Sequence, residues 1–218
     1  MKGRLITAKM IAGFKEHLIL EERSAATIQK YIRDVKAFAE YARLCQAAQR
    51  RHNERLNLIL QTICGTGIRV SELQFITVEA AKCGEAVVRC KGKTRTVFLV
   101  KALRQKLLRY AAKQNIQSGM IFVTRTGKPI SRTNIWREMK ALCVEADVNP
   151  QKVFPHNLRH LFARVFYGIE KDIAKLADIL GHSSINTTRI YNLHRHGTPP
   201  PDGEYAPGPI SSRILILL

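Results

Sequence analysis

The side chains that could do chemistry together in this chain are arginines, histidines, lysines and one tyrosine. They are Arg69, Lys91, Lys93, His156, Arg159, His182 and Tyr191. Arginine, lysine and histidine donate hydrogen bonds and supply positive charge, so a group of them can hold and neutralise one phosphodiester. A tyrosine hydroxyl can attack the phosphorus of such a group. The types and order of these residues predict a phosphate-transfer site.

Two arginines are the candidates for binding the non-bridging phosphate oxygens, because a planar guanidinium donates two parallel hydrogen bonds. Arg159 follows His156 by three residues, which puts both on one face of a helix. Arg69 follows a Gly-x-Gly turn and begins a short helix, where a cation opposes the helix dipole and favours an anionic partner. Glu72, one turn later, is placed to orient Arg69. The alternative is that each arginine is a solvated surface charge.

The remaining candidates handle protons. Tyr191, with an ordinary phenol pKa near 10, has to lose its proton as it attacks, and His156 is the expected acceptor. His182 is expected to hydrogen-bond the phosphate, and a lysine at a hairpin tip, Lys91 or Lys93, to protonate the leaving oxygen. The alternatives are a packed aromatic for Tyr191 and a core histidine beside a glycine turn for His182.

A metal site is the competing interpretation of His156 and His160, which are four residues apart like the histidines of helical zinc pairs. The residues between them are Asn157, Leu158 and Arg159, so no glutamate base is present and a cation stands where a metal would bind. We therefore expect no metal at this pair of histidines.

Composition restricts the partners. The chain has 218 residues, with 36 Lys+Arg against 17 Asp+Glu, a net charge of +19 and a pI near 10.2. The positive electrostatic field of such a chain favours binding to a polyanion, and nucleic acid is the usual one. Five cysteines without a C-x-x-C pair argue against a disulfide framework and favour a reducing compartment. No stretch approaches the ~18 apolar residues of a membrane span, so we expect a soluble, cytoplasmic protein with no membrane contact.

Hydrophobic periodicity predicts a mainly α-helical chain with a small β-hairpin, an α+β class. Helices are expected at 7–20, from a Ser24 cap to about Tyr41, after the basic stretch 46–55 as far as Gly65-Thr66-Gly67, and near Arg69. Further helices are expected at 103–112, 131–142, 172–180 and beyond 184, and another that opens at Phe154-Pro155 and carries His156, Arg159 and His160. A hairpin is expected at 86–99 and a short strand at 121–123. The Pro/Gly-rich residues 193–213 predict a loop or disorder.

The ordered motifs resemble the tyrosine recombinases, the integrase family of phage and mobile elements. They are Thr66-Gly67-Ile68-Arg69-Val70-Ser71-Glu72-Leu73, His156-Asn157-Leu158-Arg159-His160, Leu180-Gly181-His182 and Ile190-Tyr191. The resemblance implies site-specific cutting and rejoining of double-stranded DNA without metal or ATP. Tyr191 would form a 3′-phosphotyrosyl bond, and Lys91, directly before Gly92, would be preferred to Lys93 as the general acid. It also implies a homo-tetramer on two synapsed DNA sites, close to the nucleoid.

The resemblance also implies a division of the chain. Residues 1–45 are expected to be a partial core-binding helical segment of the family's SAM-like type, 46–192 the catalytic domain, and 193–218 a tail. Two helices precede the catalytic domain where the family normally has about four, and the tail after Asn192 is unlike the family's docking segment. These departures leave two alternatives open: a non-catalytic DNA-binding remnant, and DNA relaxation of the type IB topoisomerase kind.

Overall fold

The computed structural model describes residues 6–90, 92–182 and 184–189. Its regular elements are helices joined by short turns, with one pair of strands. In chain order they are α1 (Ala8–Leu20), α2 (Ala25–Arg50), α3 (Glu54–Thr66), a 3₁₀ helix (Val70–Phe75), α4 (Val78–Cys83), β1 (Glu85–Cys90), β2 (Lys93–Phe98), α5 (Lys101–Lys113), α6 (Arg132–Leu142), a second 3₁₀ helix (Pro150–Lys152), α7 (Pro155–Glu170), α8 (Ile173–Leu180) and α9 (Ile185–Arg189). The predicted mainly helical class with a small sheet is confirmed.

Helix α2 begins where its sequence predicts, because the Ser24 hydroxyl accepts a hydrogen bond from the Thr27 amide. The expected end near Tyr41 is wrong, since the helix continues to Arg50. No glycine or proline interrupts this stretch, and its buried face continues past Tyr41 through Leu44 and Ala47. The boundary expected at residues 45 and 46 therefore falls inside one continuous helix. The expected tail, 193–218, lies outside the described residues.

Helix α3 is the centre of the core and carries the chain to Arg69. It packs against α2, α5 and α7, and its side chains Leu56, Ile59 and Ile63 are fully buried. The helix ends at Gly67, which has a φ of +66°, a conformation that side-chain-bearing residues rarely adopt. A Cβ at Gly67 would lie 2.4 Å from Cδ1 of Phe162 in α7. Glycine is thus required both for the turn and for the close approach of α7.

Strands β1 and β2 form the predicted antiparallel hairpin, in a register that pairs Glu85 with Phe98 and Cys90 with Lys93. Val88 and Val97 are buried and attach the hairpin to the core. The strand expected at 121–123 is wrong: Met120, just before it, and Val123, at its end, form isolated bridges with Thr77 and Pro129.

Helices α7 and α8 form a second, smaller cluster around Phe162, Phe166, Leu176 and Leu180. Because Phe162 also touches the turn at Gly67, this cluster fixes α8 close to the start of the Arg69 segment. Within the described ranges, no helix is long and apolar enough to cross a membrane.

Candidate active site

Arg69 stands at the turn between α3 and the first 3₁₀ helix, with its side chain 36% exposed. Its Nη1 donates to Oε1 of Glu72 at 2.8 Å, and its backbone amide donates to the other carboxylate oxygen at 2.8 Å. Its Nη2 donates to the carbonyl of Gly181 at 3.3 Å. The guanidinium is therefore oriented from one side by a carboxylate, as the sequence suggested, and from the other by a turn 112 residues away.

The Glu72 carboxylate is almost completely buried, at 1% exposure. Burial alone would raise the pKa of Glu72, but hydrogen bonds from the Arg69 backbone and side chain, with the charges of Arg95 and Arg69, lower it below its usual value. Glu72 consequently stays ionised at neutral pH and can hold two guanidinium groups at once.

Arg159 is buried, at 3% exposure, so it is not the solvated surface charge of the alternative interpretation. Its Nη1 donates to the carbonyl of Gly67, and its Nη2 donates to the carbonyl of Leu180 at 2.7 Å. The same Nη2 lies 3.2 Å from Nε2 of His182. Arg69 and Arg159 thus reach the same short segment, residues 180–182, which is named the His182 turn below.

His182 has a defined tautomer because its partners differ in kind. A guanidinium can only donate, so Nε2 facing Arg159 accepts, and Nδ1 carries the hydrogen that it donates to Oγ1 of Thr188 at 2.8 Å. Burial, followed by the charges of Arg159, Arg69 and Arg95, lowers the pKa of His182 to about 4. The imidazole is therefore neutral at pH 7.

His156 lies in the first turn of α7 and is exposed to solvent. Partial burial, followed by the charges of Arg159, Arg132 and Arg69, lowers its pKa, so the cations of the site surround it. Its ring meets that of His160 edge to face, with centroids 4.1 Å apart. A neutral, exposed imidazole beside two guanidinium groups is able to accept a proton from a hydroxyl group.

The structure therefore brings together Arg69, His156, Arg159 and His182, four of the seven residues selected from the sequence. Lys93 is the first residue of β2, and Lys91 and Tyr191 lie outside the described residues. In the part of the chain that is described, no group of three or more His, Cys, Asp and Glu side chains could hold a metal ion.

The sequence analysis missed Arg95 and Thr188. Arg95 shares the buried face of β2 with Val97, two residues later, and that alternation was the available signal for an inward-facing charge. Thr188 is completely buried, and its hydroxyl fixes the His182 ring. Nothing in the local sequence distinguishes Thr188 from an ordinary helical threonine.

A basic cleft of about 790 Å³ borders the site between α2 and α7. Its cationic lining residues are Lys15, Arg33, Lys36, Lys152 and Arg164. Asp34 of α2 pairs with Arg164 of α7 at 3.5 Å, so the N-terminal helices are attached to the helix that carries His156. The cleft adds cationic side chains of α1, α2 and α7 to those of the four site residues.

Comparison with known proteins decides the family. The model of the phage integrase family matches residues 36–197 of this chain. The chain belongs to the phage integrase family. The match begins within α2 and includes every candidate residue of the site.

Individual members of the family agree with this assignment. Tyrosine recombinase XerH of Campylobacter jejuni is 31% identical over 189 residues, 83% of this chain and 50% of that protein. The crystal structure of XerA recombinase superposes with a TM-score of 0.61 at 26% identity, covering 88% of this chain and 80% of that chain. The crystal structure of a XerH recombinase bound to its difH substrate superposes with a TM-score of 0.60 at 21% identity, covering 70% of this chain and 48% of that chain. This integrase-family chain spans about half the length of the curated relatives it matches.

Proposed function

We propose that this chain cuts and rejoins DNA strands in site-specific recombination, through a 3′-phosphotyrosyl bond at Tyr191. The observation that carries the proposal is the convergence of Arg69 and Arg159 on the His182 turn, with their guanidinium groups bound to Gly181 and Leu180. Two cations that converge from distant segments, beside two neutral histidines, suit an oxyanion that gains charge during reaction.

Each side chain has one task in the proposed step. Arg69 and Arg159 bind the non-bridging oxygens, and His182 donates a hydrogen bond to the same phosphate from Nε2, which takes up a proton when the anion binds. The Tyr191 oxygen attacks phosphorus and passes its proton to His156, while the bond from phosphorus to the 5′-oxygen breaks. Lys91, with Lys93 as the second choice, protonates that leaving oxygen. The reverse step, with a 5′-hydroxyl of a partner strand, rejoins the DNA.

The partner in this proposal is double-stranded DNA. Support comes from the net charge of +19, the basic cleft beside α7, and the DNA-bound state of the XerH structure. We propose that residues 46–192 act as the catalytic domain and residues 1–45 as a partial core-binding segment. The active form would be a homo-tetramer on two synapsed sites, associated with the nucleoid, and it would need no cofactor because the covalent bond conserves the phosphodiester energy.

The test is formation of a covalent protein–DNA adduct. Duplexes that the protein binds are first selected from a random library, and are then nicked next to the expected cleavage position so that the released strand diffuses away. We expect a denaturation-resistant adduct with the parent chain and none with Tyr191→Phe, although DNA affinity stays the same. Tyr31→Phe is the matched control, because Tyr31 is an exposed tyrosine of α2 outside the site.

The other outcomes identify the alternatives. Selective DNA binding without any adduct would contradict the proposal and favour a non-catalytic DNA-binding protein. An adduct accompanied by relaxation of supercoiled plasmid, without exchange between two sites, would favour activity of the topoisomerase kind. Salt dependence does not separate these outcomes, since all of them involve phosphate contacts and counterion release.

A further inference from the structure

Arg95 lies in β2 and has a buried side chain, 12% exposed, that none of the proposed chemical steps uses. Its Nη1 donates to the carbonyl of Ile179 at 2.6 Å, and its Nη2 donates to Oε2 of Glu72 at 2.6 Å. One side chain of the hairpin is therefore bound to α8 and to the first 3₁₀ helix at the same time.

Ile179 and Glu72 each lead directly to site residues. Ile179 is in the last turn of α8, whose carbonyls have no partner within the helix, and a cation there is favourable. The chain continues from Ile179 into the His182 turn. Glu72 is the carboxylate that orients the Arg69 guanidinium. Arg95 thus touches the supports of two candidate phosphate ligands.

A third contact is steric. Gly181 has a φ of +63°, and a Cβ added there would lie 2.5 Å from Cδ and 2.7 Å from Nε of Arg95. The backbone of the His182 turn therefore lies directly on the Arg95 side chain. A shift of either group displaces the other.

We propose that Arg95 is a positioning residue that holds the His182 turn and the Glu72 carboxylate in the geometry needed for strand cleavage. The inference rests on the proposed function, since it assigns Arg95 to the site where the phosphate would react. Arg95 lies two residues from Lys93 at the start of β2, so it also anchors the predicted lysine hairpin to the opposite side of the site. Its burial keeps it away from DNA.

The kinetic test compares Arg95→Ala with Arg104→Ala on the nicked duplex at saturating protein. Arg104 is the matched control, because it is a half-buried arginine that donates to the carbonyls of Ala81 and Lys82, outside the site. We expect Arg95→Ala to form the adduct roughly 100-fold more slowly, the effect of a displacement of about 1 Å in a reacting group. Its DNA affinity should stay within about threefold of the parent value, since no phosphate contact is lost.

Two further variants show whether Arg95 acts through its partners. Arg95→Lys keeps the charge, but its donors all sit on one nitrogen and cannot reproduce the two separate nitrogens that bind Ile179 and Glu72, so we expect it to remain at least about tenfold slower. In a double-mutant cycle, Arg95→Ala and Glu72→Gln should be strongly non-additive, whereas Arg104→Ala and Glu72→Gln should add.

Amide hydrogen exchange of the DNA-free protein tests the same inference without any reaction. The Gly181 and His182 amides donate to Asp178 and Ala177. Their exchange should accelerate in Arg95→Lys and Arg95→Ala but not in Arg104→Ala. A parent chain that forms no adduct, with this exchange pattern present, would refute the proposed function and leave the structural role of Arg95 standing. Unchanged exchange, or Arg95→Lys cleaving as fast as the parent chain, would overturn the inference.

Discussion

Replacing Glu72 with glutamine keeps the size of a buried side chain and removes the charge that two arginines share. Oε2 of Glu72 accepts from the Arg69 amide and from Arg95, while Oε1 accepts from the Arg69 guanidinium. Glutamine has a single side-chain oxygen. In the position of Oε2 it accepts from two donors, the Arg69 amide and Arg95, whereas in the position of Oε1 it would accept from one. Its amide nitrogen then faces Arg69 Nη1, donor against donor, so Glu72→Gln should remove the contact that orients the Arg69 side chain and the carboxylate charge that faces Arg95.

The cost to stability follows from these contacts. Removing one partner of a buried ion pair costs about 3–5 kcal/mol, and the remaining glutamine acceptor recovers part of that loss. We expect the free energy of unfolding to fall by about 3 kcal/mol at pH 7. Adduct formation should slow by more than the stability loss explains, because folded molecules also lose the orientation of Arg69.

Urea denaturation at pH 7 measures the change, with Glu138→Gln as the matched control. Glu138 pairs with Arg55 at 2.8 Å, but both side chains are about a quarter exposed, at 25% and 28%. Such a pair contributes about 1 kcal/mol or less. If the two variants lost the same stability and cleaved DNA at the same rate, the assigned role of the Glu72 carboxylate would be refuted.

The difference in unfolding free energy between the parent chain and Glu72→Gln should change with pH in one direction. The pKa of Glu72 is lowered in the folded protein, so the charge stabilises the fold fully above the unfolded-state pKa of about 4.3. That contribution disappears as the pH falls through the lower folded-state pKa. The stability gap between the parent chain and Glu72→Gln should therefore narrow in acid; a gap that widened below pH 4 would contradict the assignment.

Three further predictions concern neighbouring residues. Arg159→Ala should slow adduct formation by roughly 100- to 1,000-fold, about 3–4 kcal/mol of transition-state stabilisation; a loss below tenfold in a quench-flow assay would separate Arg159 from the phosphate. Gly181→Ala should lower the melting temperature far more than Gly127→Ala, because both glycines have positive φ but a Cβ meets Arg95 only at Gly181; equal melting losses would contradict that packing. The pKa of His182, about 4 in the free protein, should rise when a phosphodiester binds, since an added anion favours the imidazolium; an NMR titration with and without DNA shows whether it does.

The elements that the sequence predicted well are those fixed by local chemistry. Ser24 and Ser131 both cap helices through their hydroxyl groups, and Gly67 ends α3 in the left-handed conformation. The convergence of Arg69, Arg159 and His182 was also predictable, because the family motifs carry these residues in order. The helix ends needed a few neighbouring residues only, whereas the convergence needed the order of motifs across the chain.

Long-range packing explains the parts that were not predictable. The last turns of α2 bury Leu44, Ala47 and Ala48, so its extension to Arg50 depends on packing against other helices, α3 among them. Arg95 gains its role from Ile179, 84 residues away, and no local pattern reports such a contact. The roles of Lys91 and Tyr191 stay predictions from the motifs.

Helix α2 fixes the orientation of the residues before it relative to the rest of the chain. Because it runs without interruption from Ala25 to Arg50, the direction of α1 is set by the number of residues between Asp34 and the buried Tyr41. One inserted residue there would rotate everything before it by about 100° around the helix axis and remove Asp34 from Arg164. Four inserted residues would restore the facing side to within about 40°, about 6 Å further along the helix axis. The effect of an insertion in α2 on the Asp34–Arg164 contact should therefore vary with the period of the helix.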